Sequence, residues 1–190
     1  MKNLNILKDL EDYIKNMRSE DKRHIEHMIS SNNALSYKDF TYGTTPYETA
    51  ITLIDSVSKK YDRFVVVGAS IGWMNFYFND KYPDIETLGI DIHRGRIRFG
   101  KSLIKKYNLS NISLDVDDLY KFEFKSTDLI WMSNCCFDKN SFEDIFNKII
   151  GEHPEISIIS YKPFSGAKYK RYKLPVSWME NQPFWVYDEK

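Results

Sequence analysis

The segment from residue 64 to residue 91 constrains the fold of this chain more than any other. It reads FVVVGASIGWMNFYFNDKYPDIETLGID: an apolar run stops at Gly68, a second glycine follows at Gly72, and a second apolar run ends in Asp91. This order is typical of a β-strand, a tight glycine turn, a helix and a second, parallel strand. In such a sheet the bare backbone of the turn approaches a nucleoside, and the carboxylate accepts hydrogen bonds from the ribose hydroxyls. The segment therefore predicts a nucleoside pocket.

The composition narrows the classes of protein to which this chain can belong. Its 190 residues carry a formal net charge of zero and are 42% hydrophobic, which predicts one globular domain with no global attraction to nucleic acid or membranes. The two cysteines, Cys135 and Cys136, are adjacent and indicate neither a disulfide framework nor a metal site. Residues 1–16 lack the apolar segment of a signal peptide, and no run is long enough to cross a bilayer. We therefore expect an intracellular protein, cytoplasmic or nuclear, without a metal ion.

Apolar periodicity predicts an alternation of helices and strands. Helical spacing over 3–17, and again from residue 19, predicts an N-terminal helical cap (1–40) on a main domain (41–190). The pattern of the main domain predicts helices over 45–58, 73–79, 94–107 and 141–150, strands over 64–67, 87–91, 111–116, 128–133 and 156–160, and a closing antiparallel pair over 176–178 and 184–187. This alternation predicts an α/β sandwich with a mainly parallel sheet.

The first helix of the main domain has a predicted start signal. Thr45, Pro46 and Glu48 match the N-cap, N1 and N3 positions of a capping box with proline at its favoured position. We therefore expect the Thr45 side chain to cap this helix.

Polar or glycine-rich loops follow the carboxyl ends of four predicted strands. They are Gly68–Gly72, Asp91, Asp117–Asp118 and Ser133–Asn134. Because ligands of such sheets bind at the carboxyl ends of the strands, we expect these loops to form one site.

This arrangement resembles the class I S-adenosylmethionine-dependent methyltransferases, which have a Rossmann-like fold. Several segments are similar to a narrower group, the non-SET histone lysine methyltransferases of the disruptor-of-telomeric-silencing class. They are YGTT at 42–45 (YGET in the family), IWMSNCCF at 130–137 (IFVNNFAF), SYKPF at 160–164 (SSKPF), and VSW at 176–178 followed by Pro183 and Tyr187 (VSW and PVSYY). The resemblance covers about residues 41–187, and it implies methyl transfer from S-adenosylmethionine to a protein lysine.

The resemblance also implies roles for individual residues. Those that would contact the cofactor are Tyr42, Thr45, Gly68, Ala69, Ser70, Gly72, Asp91, Asp118 or its neighbour Asp117, and Asn134. Asn134 would also lie beside the transferred methyl group, and Phe137 and Tyr187 would shape the channel for the lysine amine. These residue types suit methyl transfer, because a dry channel aligns the reactants and aromatic faces tolerate a cation.

The chain departs from the family pattern at three positions. Val66 stands where the family has an acid that helps to anchor the methionyl amino group, Ser70 replaces the middle glycine of the turn, and Thr44 replaces a glutamate. A serine is strained wherever the turn needs a positive φ, and its side chain intrudes where the backbone must approach a ligand. These departures favour an alternative function, a binding or scaffold subunit that keeps the fold without catalysis.

Ordinary structural roles are also open to several of these residues. Asp91 is suited to cap the helix that follows it, Asp118 to cap a turn, Asn134 to cap the helix that begins near residue 141, and Tyr187 to pack in the core.

A second alternative function comes from a basic segment. Lys168, Lys170, Arg171 and Lys173 interleave with tyrosines, which suits an acidic protein or a nucleic-acid partner. A nucleic-acid methyltransferase is therefore a further hypothesis, although SNCC at 133–136 stands where amino-base enzymes have an NPPY-type tetrad.

Overall fold

The computed structural model describes residues 5–13, 44–134, 137 and 139–188. Within these ranges the elements are α1 (residues 5–13), α2 (Tyr47–Asp55), β1 (Arg63–Val67), α3 (Trp73–Lys81), β2 (Glu86–Asp91), α4 (Arg94–Lys106), β3 (Ile112–Val116), β4 (Asp128–Met132), α5 (Lys139–Glu152), β5 (Ser157–Ser160), β6 (Lys170–Val176) and β7 (Met179–Tyr187). The elements predicted between residues 64 and 160 are confirmed, because each one is present with its bounds shifted by two residues at most.

The strands of the described residues form one sheet with the order β3-β2-β1-β4-β5-β7-β6. β1 to β5 pair in parallel, whereas β7 is antiparallel to both β5 and β6. The prediction of a mainly parallel sheet with a C-terminal antiparallel pair is therefore confirmed. The strand order reverses direction between β1 and β4, and in open α/β sheets the crevice at this switch point is where ligands bind.

Helices cover both faces of the sheet, which explains why β1 and β4 are buried along their whole length. Alternate residues of β1 face opposite sides: Phe64 and Val66 pack with α2 and α3, and Val65 and Val67 pack with α5. The same alternation continues in β7, where Phe184 and Val186 join the first cluster and Trp185 and Tyr187 join the second. These two sides are called the α2 face and the α5 face.

Helix α1 packs beside α3 and α4. Ile6 and Leu10 are buried in a cluster that includes Leu103, and the Asp9 carboxylate accepts hydrogen bonds from Lys106 Nζ (2.6 Å) and the Tyr107 hydroxyl (2.8 Å). The first helix predicted over 3–17 is thus confirmed for residues 5–13. Residues 14–43 lie outside the described part of the chain, so the division into a cap (1–40) and a main domain (41–190) stays a prediction.

The predicted capping box at α2 is wrong. The helix begins at Tyr47, and Pro46 is the N-cap, with its carbonyl accepting from Ala50 N–H (3.0 Å). The Thr45 side chain instead forms a buried hydrogen bond with the Tyr161 hydroxyl (2.5 Å). The Thr45 hydroxyl, which local rules assign to the helix cap, therefore bonds to Tyr161, a residue that is remote in sequence.

The predicted first arm of the C-terminal pair, 176–178, is also wrong. β6 ends at Val176, and Ser177 and Trp178 form the turn into β7. β6 is an edge strand with a register irregularity between Leu174 and Val176, so Pro175 sits where its missing N–H breaks no ladder bond. Pro175 thus lies at an irregularity inside the hairpin, whereas the predicted arm began directly after this proline.

None of the helices among the described residues combines the length and the apolar character needed to cross a membrane. No three His, Cys, Asp or Glu side chains of these same ranges come together as metal ligands do.

Candidate functional site

The turn after β1 is built from alternating residues with left-handed backbone. Gly68, Ser70 and Gly72 have φ values of 74°, 54° and 86°. The amides of Gly68 and Ala69 both donate to the Ile90 carbonyl (2.8 and 3.0 Å), which ties the turn to the end of β2. The predicted glycine turn is therefore present, and its first two amides are bonded to the sheet.

Asp91 faces the glycine turn from the tip of β2. Its Oδ2 accepts from the Ser70 amide (2.7 Å), and its Oδ1 accepts from the His93 amide (2.7 Å). Helix α4 is capped by His93, whose Nδ1 accepts from the Arg96 amide (3.2 Å), so Asp91 is not its N-cap. The carboxylate thus lies beside the predicted nucleoside pocket, and it also stabilises the turn.

The loops after β1 and β4 touch at the switch point. The Ser133 amide donates to the Val67 carbonyl (2.9 Å), and a Cβ on Gly68 would lie 3.2 Å from the Ser133 Cβ. On the other side of the turn, a Cβ on Gly72 would lie 2.8 Å from Leu114 Cδ1. Both glycines therefore have the positive φ that favours glycine, and a Cβ at either would crowd its neighbour. Their predicted contact with a cofactor stays a prediction.

Asn134 is fully buried and joins the loops after β4 and β5. Its Oδ1 accepts from the amides of Tyr161 (3.0 Å) and Lys162 (3.2 Å), so it does not cap α5. Its Nδ2 has no hydrogen-bond partner among the residues that the structure describes. A buried donor without an acceptor is costly, and a ligand carbonyl, carboxylate or hydroxyl group at this point would satisfy it.

Tyr161 was not among the residues predicted for the site, yet it joins two of them, because its amide donates to Asn134 and its hydroxyl bonds to Thr45. Its ring lies 5.9 Å from the ring of Trp131 and 6.0 Å from that of Trp178. The similar family segment, SSKPF, has serine at this position, so the resemblance pointed away from an aromatic role. Burial of Thr45, also a predicted cofactor contact, follows from this bond.

The tip of the β6–β7 hairpin overhangs the same edge of the sheet. Trp185 pairs with Ser160, the last residue of β5, so the hairpin beyond them projects past the carboxyl ends of the strands. Trp178 at its tip is 45% exposed, and Ser177 exchanges hydrogen bonds with Thr44 through its amide and its hydroxyl (both 3.0 Å). The exposed indole ring therefore stands next to the segment that leads into α2.

Asp117 and Asp118 are exposed beyond the end of β3. Asp118 Oδ1 accepts from the Tyr120 amide (3.0 Å), and Asp117 Oδ1 accepts from the Asp118 amide (2.7 Å). Asp118 therefore caps a turn, which is the structural role that the sequence left open for it. Their predicted contact with the cofactor stays a prediction.

Tyr187 lies in the buried cluster of the α5 face. Its hydroxyl accepts from the Phe164 amide (2.7 Å), and burial raises the pKa of this tyrosine to about 12. Phe137 is half-buried, and its carbonyl accepts from Lys162 Nζ (3.1 Å). The core-packing alternative for Tyr187 is therefore what the structure displays, while Tyr42 lies outside the described residues.

Ser70 combines backbone strain with an unsatisfied side chain. Its φ of 54° is the left-handed conformation that favours glycine, and its Oγ is buried with no partner within the described ranges. Val66, another departure from the family pattern, is 1% exposed in the core of the α2 face. The two differences therefore occupy different environments.

Replacing Ser70 by glycine is expected to raise the free energy of unfolding by about 1 kcal/mol, since glycine adopts positive φ without the Cβ penalty and the unpaired hydroxyl is removed. Ser70→Ala removes the hydroxyl but keeps the Cβ, so it is the matched control and is expected to stabilise less. Urea denaturation measures both variants. Destabilisation by glycine would contradict this account of the turn.

No family model matches the sequence. The "Uncharacterized protein RP028" of Rickettsia prowazekii is 26% identical over 158 residues, and the match covers 73% of this chain and 62% of that protein. The chain thus spans less than two thirds of that relative's length.

Among solved structures, an RNA methyltransferase from Salinibacter ruber in complex with S-adenosyl-L-homocysteine matches with a TM-score of 0.57 and 12% identity, covering 77% of this chain and 94% of that chain. This chain has the class I methyltransferase fold. PKMT2 from Rickettsia typhi shares it with a TM-score of 0.51 and 16% identity, covering 63% of this chain and 26% of that chain. The class I methyltransferase fold is common to neighbours with different names, so the fold alone does not assign an acceptor.

Proposed function

We propose that this protein is an S-adenosylmethionine-dependent methyltransferase that acts on the amine of a protein lysine. The observation that carries the proposal is the contact between the glycine turn and Asp91 at the switch point of a class I methyltransferase sheet. Such a turn beside such a carboxylate is the means by which these sheets bind a nucleoside. The Salinibacter ruber neighbour contains S-adenosyl-L-homocysteine, which supports this class of cofactor.

The residues at this edge fit the cofactor. Each oxygen of Asp91 accepts one amide and keeps a lone pair for a ribose hydroxyl. Ser70 Oγ and Asn134 Nδ2, both without a partner among the described residues, would gain one from the polar groups of a bound nucleoside or amino acid. When bound, S-adenosylmethionine supplies a methyl group on an electrophilic sulfonium. The chain's own contribution would be to bind, orient and dehydrate the reactants.

The lysine acceptor is supported by the ordered family segments and by the aromatic groups around Asn134. The Tyr161 amide donates to Asn134, and the Tyr161 ring lies 6.0 Å from the ring of Trp178, which is exposed. Such rings favour a cation such as a lysine ammonium. Tyr187 packs in the buried cluster of the α5 face, and we do not assign it a role as a base. Burial raises its pKa to about 12, so its hydroxyl is protonated near neutral pH.

A specific observation also favours the scaffold alternative. The amides of Gly68, Ala69 and Ser70 are already bonded to Ile90 and Asp91, and Val66 supplies no carboxylate for the methionyl amino group. A ligand would therefore bind through side chains and the remaining lone pairs more than through the amides of the turn. Measured binding of the cofactor separates the two functions.

The proposal is tested with methyl-labelled S-adenosylmethionine and separate pools of protein and RNA. We expect label on lysine in the protein pool, and Asn134→Ala is expected to lower the initial rate by about a hundredfold, as the loss of one preorganised amide donor does elsewhere. The matched control is Asn79→Ala, because Asn79 lies on α3 away from the sheet edge.

Three outcomes would contradict the proposal in different ways. Label in the RNA pool alone would replace lysine by a nucleic-acid acceptor. Binding of S-adenosylmethionine without transfer to either pool would leave a cofactor-binding protein. No detectable heat on titration with millimolar S-adenosylmethionine would favour the scaffold function.

A further inference from the structure

We propose that the outer side of the β6–β7 hairpin binds single-stranded RNA. The surface consists of Tyr169, Arg171 and Lys173, which we call the 169–173 surface. It is separate from the methyl-transfer site, and RNA binding there requires neither the cofactor nor catalysis.

The alternation of the strand places these three side chains together. Arg171 pairs with Trp185, and its guanidinium lies 5.7 Å above the indole ring on the α5 face. The Tyr169 ring packs edge-on against the rings of Trp185 (6.4 Å) and Tyr187 (5.7 Å). Lys173 is two residues beyond Arg171 and faces the same side. Buried aromatic rings thus support an outer layer of exposed ones and cations.

The outer layer is accessible to a ligand. Tyr169 is 47% exposed, and Arg171 and Lys173 are exposed as well, whereas Trp185 and Tyr187 beneath them are buried. The exposed Arg171 guanidinium lies over the Trp185 indole, and a guanidinium plane that is open to solvent can stack on a nucleobase. The tyrosine ring offers a second such platform.

The local charge favours a polyanion. Residues 165–179 contain four lysine or arginine side chains and no aspartate or glutamate, and two of these cations, Arg171 and Lys173, lie on the side of Tyr169. The carboxylate that approaches this face is that of Glu143, which accepts hydrogen bonds from the Ser165 amide and hydroxyl. β6 is the edge strand of the sheet, so no further strand of the described residues covers this surface. A positive surface on a neutral protein attracts phosphate locally without a general attraction to nucleic acid.

Single-stranded RNA fits this surface better than the other polyanions. An acidic peptide would pair with the Arg171 and Lys173 cations but would leave the exposed Tyr169 ring without a stacking partner. Duplex bases are already stacked on one another and cannot reach these platforms, whereas unpaired bases can. The combination of aromatic and cationic groups therefore points to RNA with unpaired bases.

The surface leads towards the methyl-transfer site. Arg171 pairs with Trp185, which pairs with Ser160 at the carboxyl end of β5, and Lys173 lies further along the same direction. RNA bound here would approach the sheet edge that carries Asn134. It could thus deliver an acceptor, whether an RNA or a protein bound to it.

The test is fluorescence anisotropy with a labelled single-stranded RNA of about 12 nucleotides, a length that one such surface can contact. We expect Tyr169→Ala to weaken binding by about 5- to 100-fold without changing the salt dependence, because a stacked base is lost. Lys173→Ala is expected to reduce the slope of log affinity against log salt by about 0.7, because one phosphate contact is lost.

Control variants keep the test specific. Tyr169→Phe retains the ring and is expected to restore binding, and Lys105→Ala removes an exposed cation from α4 and is expected to leave it unchanged. Equal binding by Tyr169→Ala and wild type would overturn the proposal. Equal affinity for single-stranded and duplex RNA would also overturn it. If poly-glutamate displaces the RNA equally well from wild type and from Tyr169→Ala, the surface binds an acidic protein partner instead.

Discussion

Asp91→Ala is expected to weaken binding of S-adenosylmethionine by about 10- to 150-fold, the loss of a charge-assisted hydrogen bond of about 1.5–3 kcal/mol. In the proposed site this carboxylate accepts from the ribose, and it holds the Ser70 amide in the structure. Removal of the Asp91 carboxylate is therefore expected both to loosen the glycine turn and to remove the proposed contact with the ribose. Isothermal titration calorimetry of wild type and variant measures the effect.

Glu86→Gln is the matched control for this change. Glu86 is the first residue of β2 and Asp91 the last, so the control removes a carboxylate from the other end of the same strand. We expect its affinity to equal that of wild type. An Asp91→Ala variant that folds normally and binds the cofactor with undiminished affinity would refute the proposed nucleoside site.

Asp128→Ala is expected to lower the free energy of unfolding by about 3–5 kcal/mol, because it breaks a buried ion pair and leaves its partner charged. Arg63 Nε and Nη2 donate to Asp128 Oδ1 (2.8 Å) and Oδ2 (2.7 Å), and the Asp128 side chain is fully buried. The Lys125 amide also loses its acceptor. For a chain of this size the melting temperature should fall by about 6–20 °C, measured by thermal unfolding.

Lys101→Ala is the control, because it breaks an ion pair of the same length that is more than half exposed. Lys101 Nζ lies 2.7 Å from Asp115 Oδ1, with side chains that are 53% and 56% exposed. Exposed pairs contribute about 0–1 kcal/mol, so this variant should unfold close to wild type. Equal losses in both variants would contradict the claim that burial makes the Arg63–Asp128 pair costly to break.

The elements between residues 64 and 160 could be predicted because local rules and tertiary packing agree there. The apolar run of β1 is buried on both faces, as a central parallel strand requires, and Gly68 and Gly72 have the positive φ that the turn demands. The agreement ends where a distant group competes. Thr45 has the sequence of a helix cap, yet Tyr161 takes its hydroxyl.

Edges of the sheet were harder to predict than its centre. The two predicted arms, 176–178 and 184–187, began directly after Pro175 and Pro183, but both prolines lie inside strands. Pro175 is in β6, an edge strand that tolerates a missing N–H, and Pro183 is in the part of β7 that pairs with β6 and lies beyond the residues paired with β5. The 169–173 surface depends on this extension, because only a strand that starts at Lys170 sets Arg171 over Trp185.

The sequence by itself determined the alternation of helices and strands, the glycine turn and the carboxylate at the end of β2, since each depends on neighbours within a few residues. Tertiary structure alone decided the hydrogen-bond partners of the polar side chains. Asp91 accepts from the Ser70 amide, Asn134 accepts from the loop after β5, and Thr45 bonds to Tyr161. The reason is physical. Local patterns set backbone conformation, whereas a buried hydrogen bond goes to whichever partner the packing brings within reach, and separation along the chain does not limit that choice.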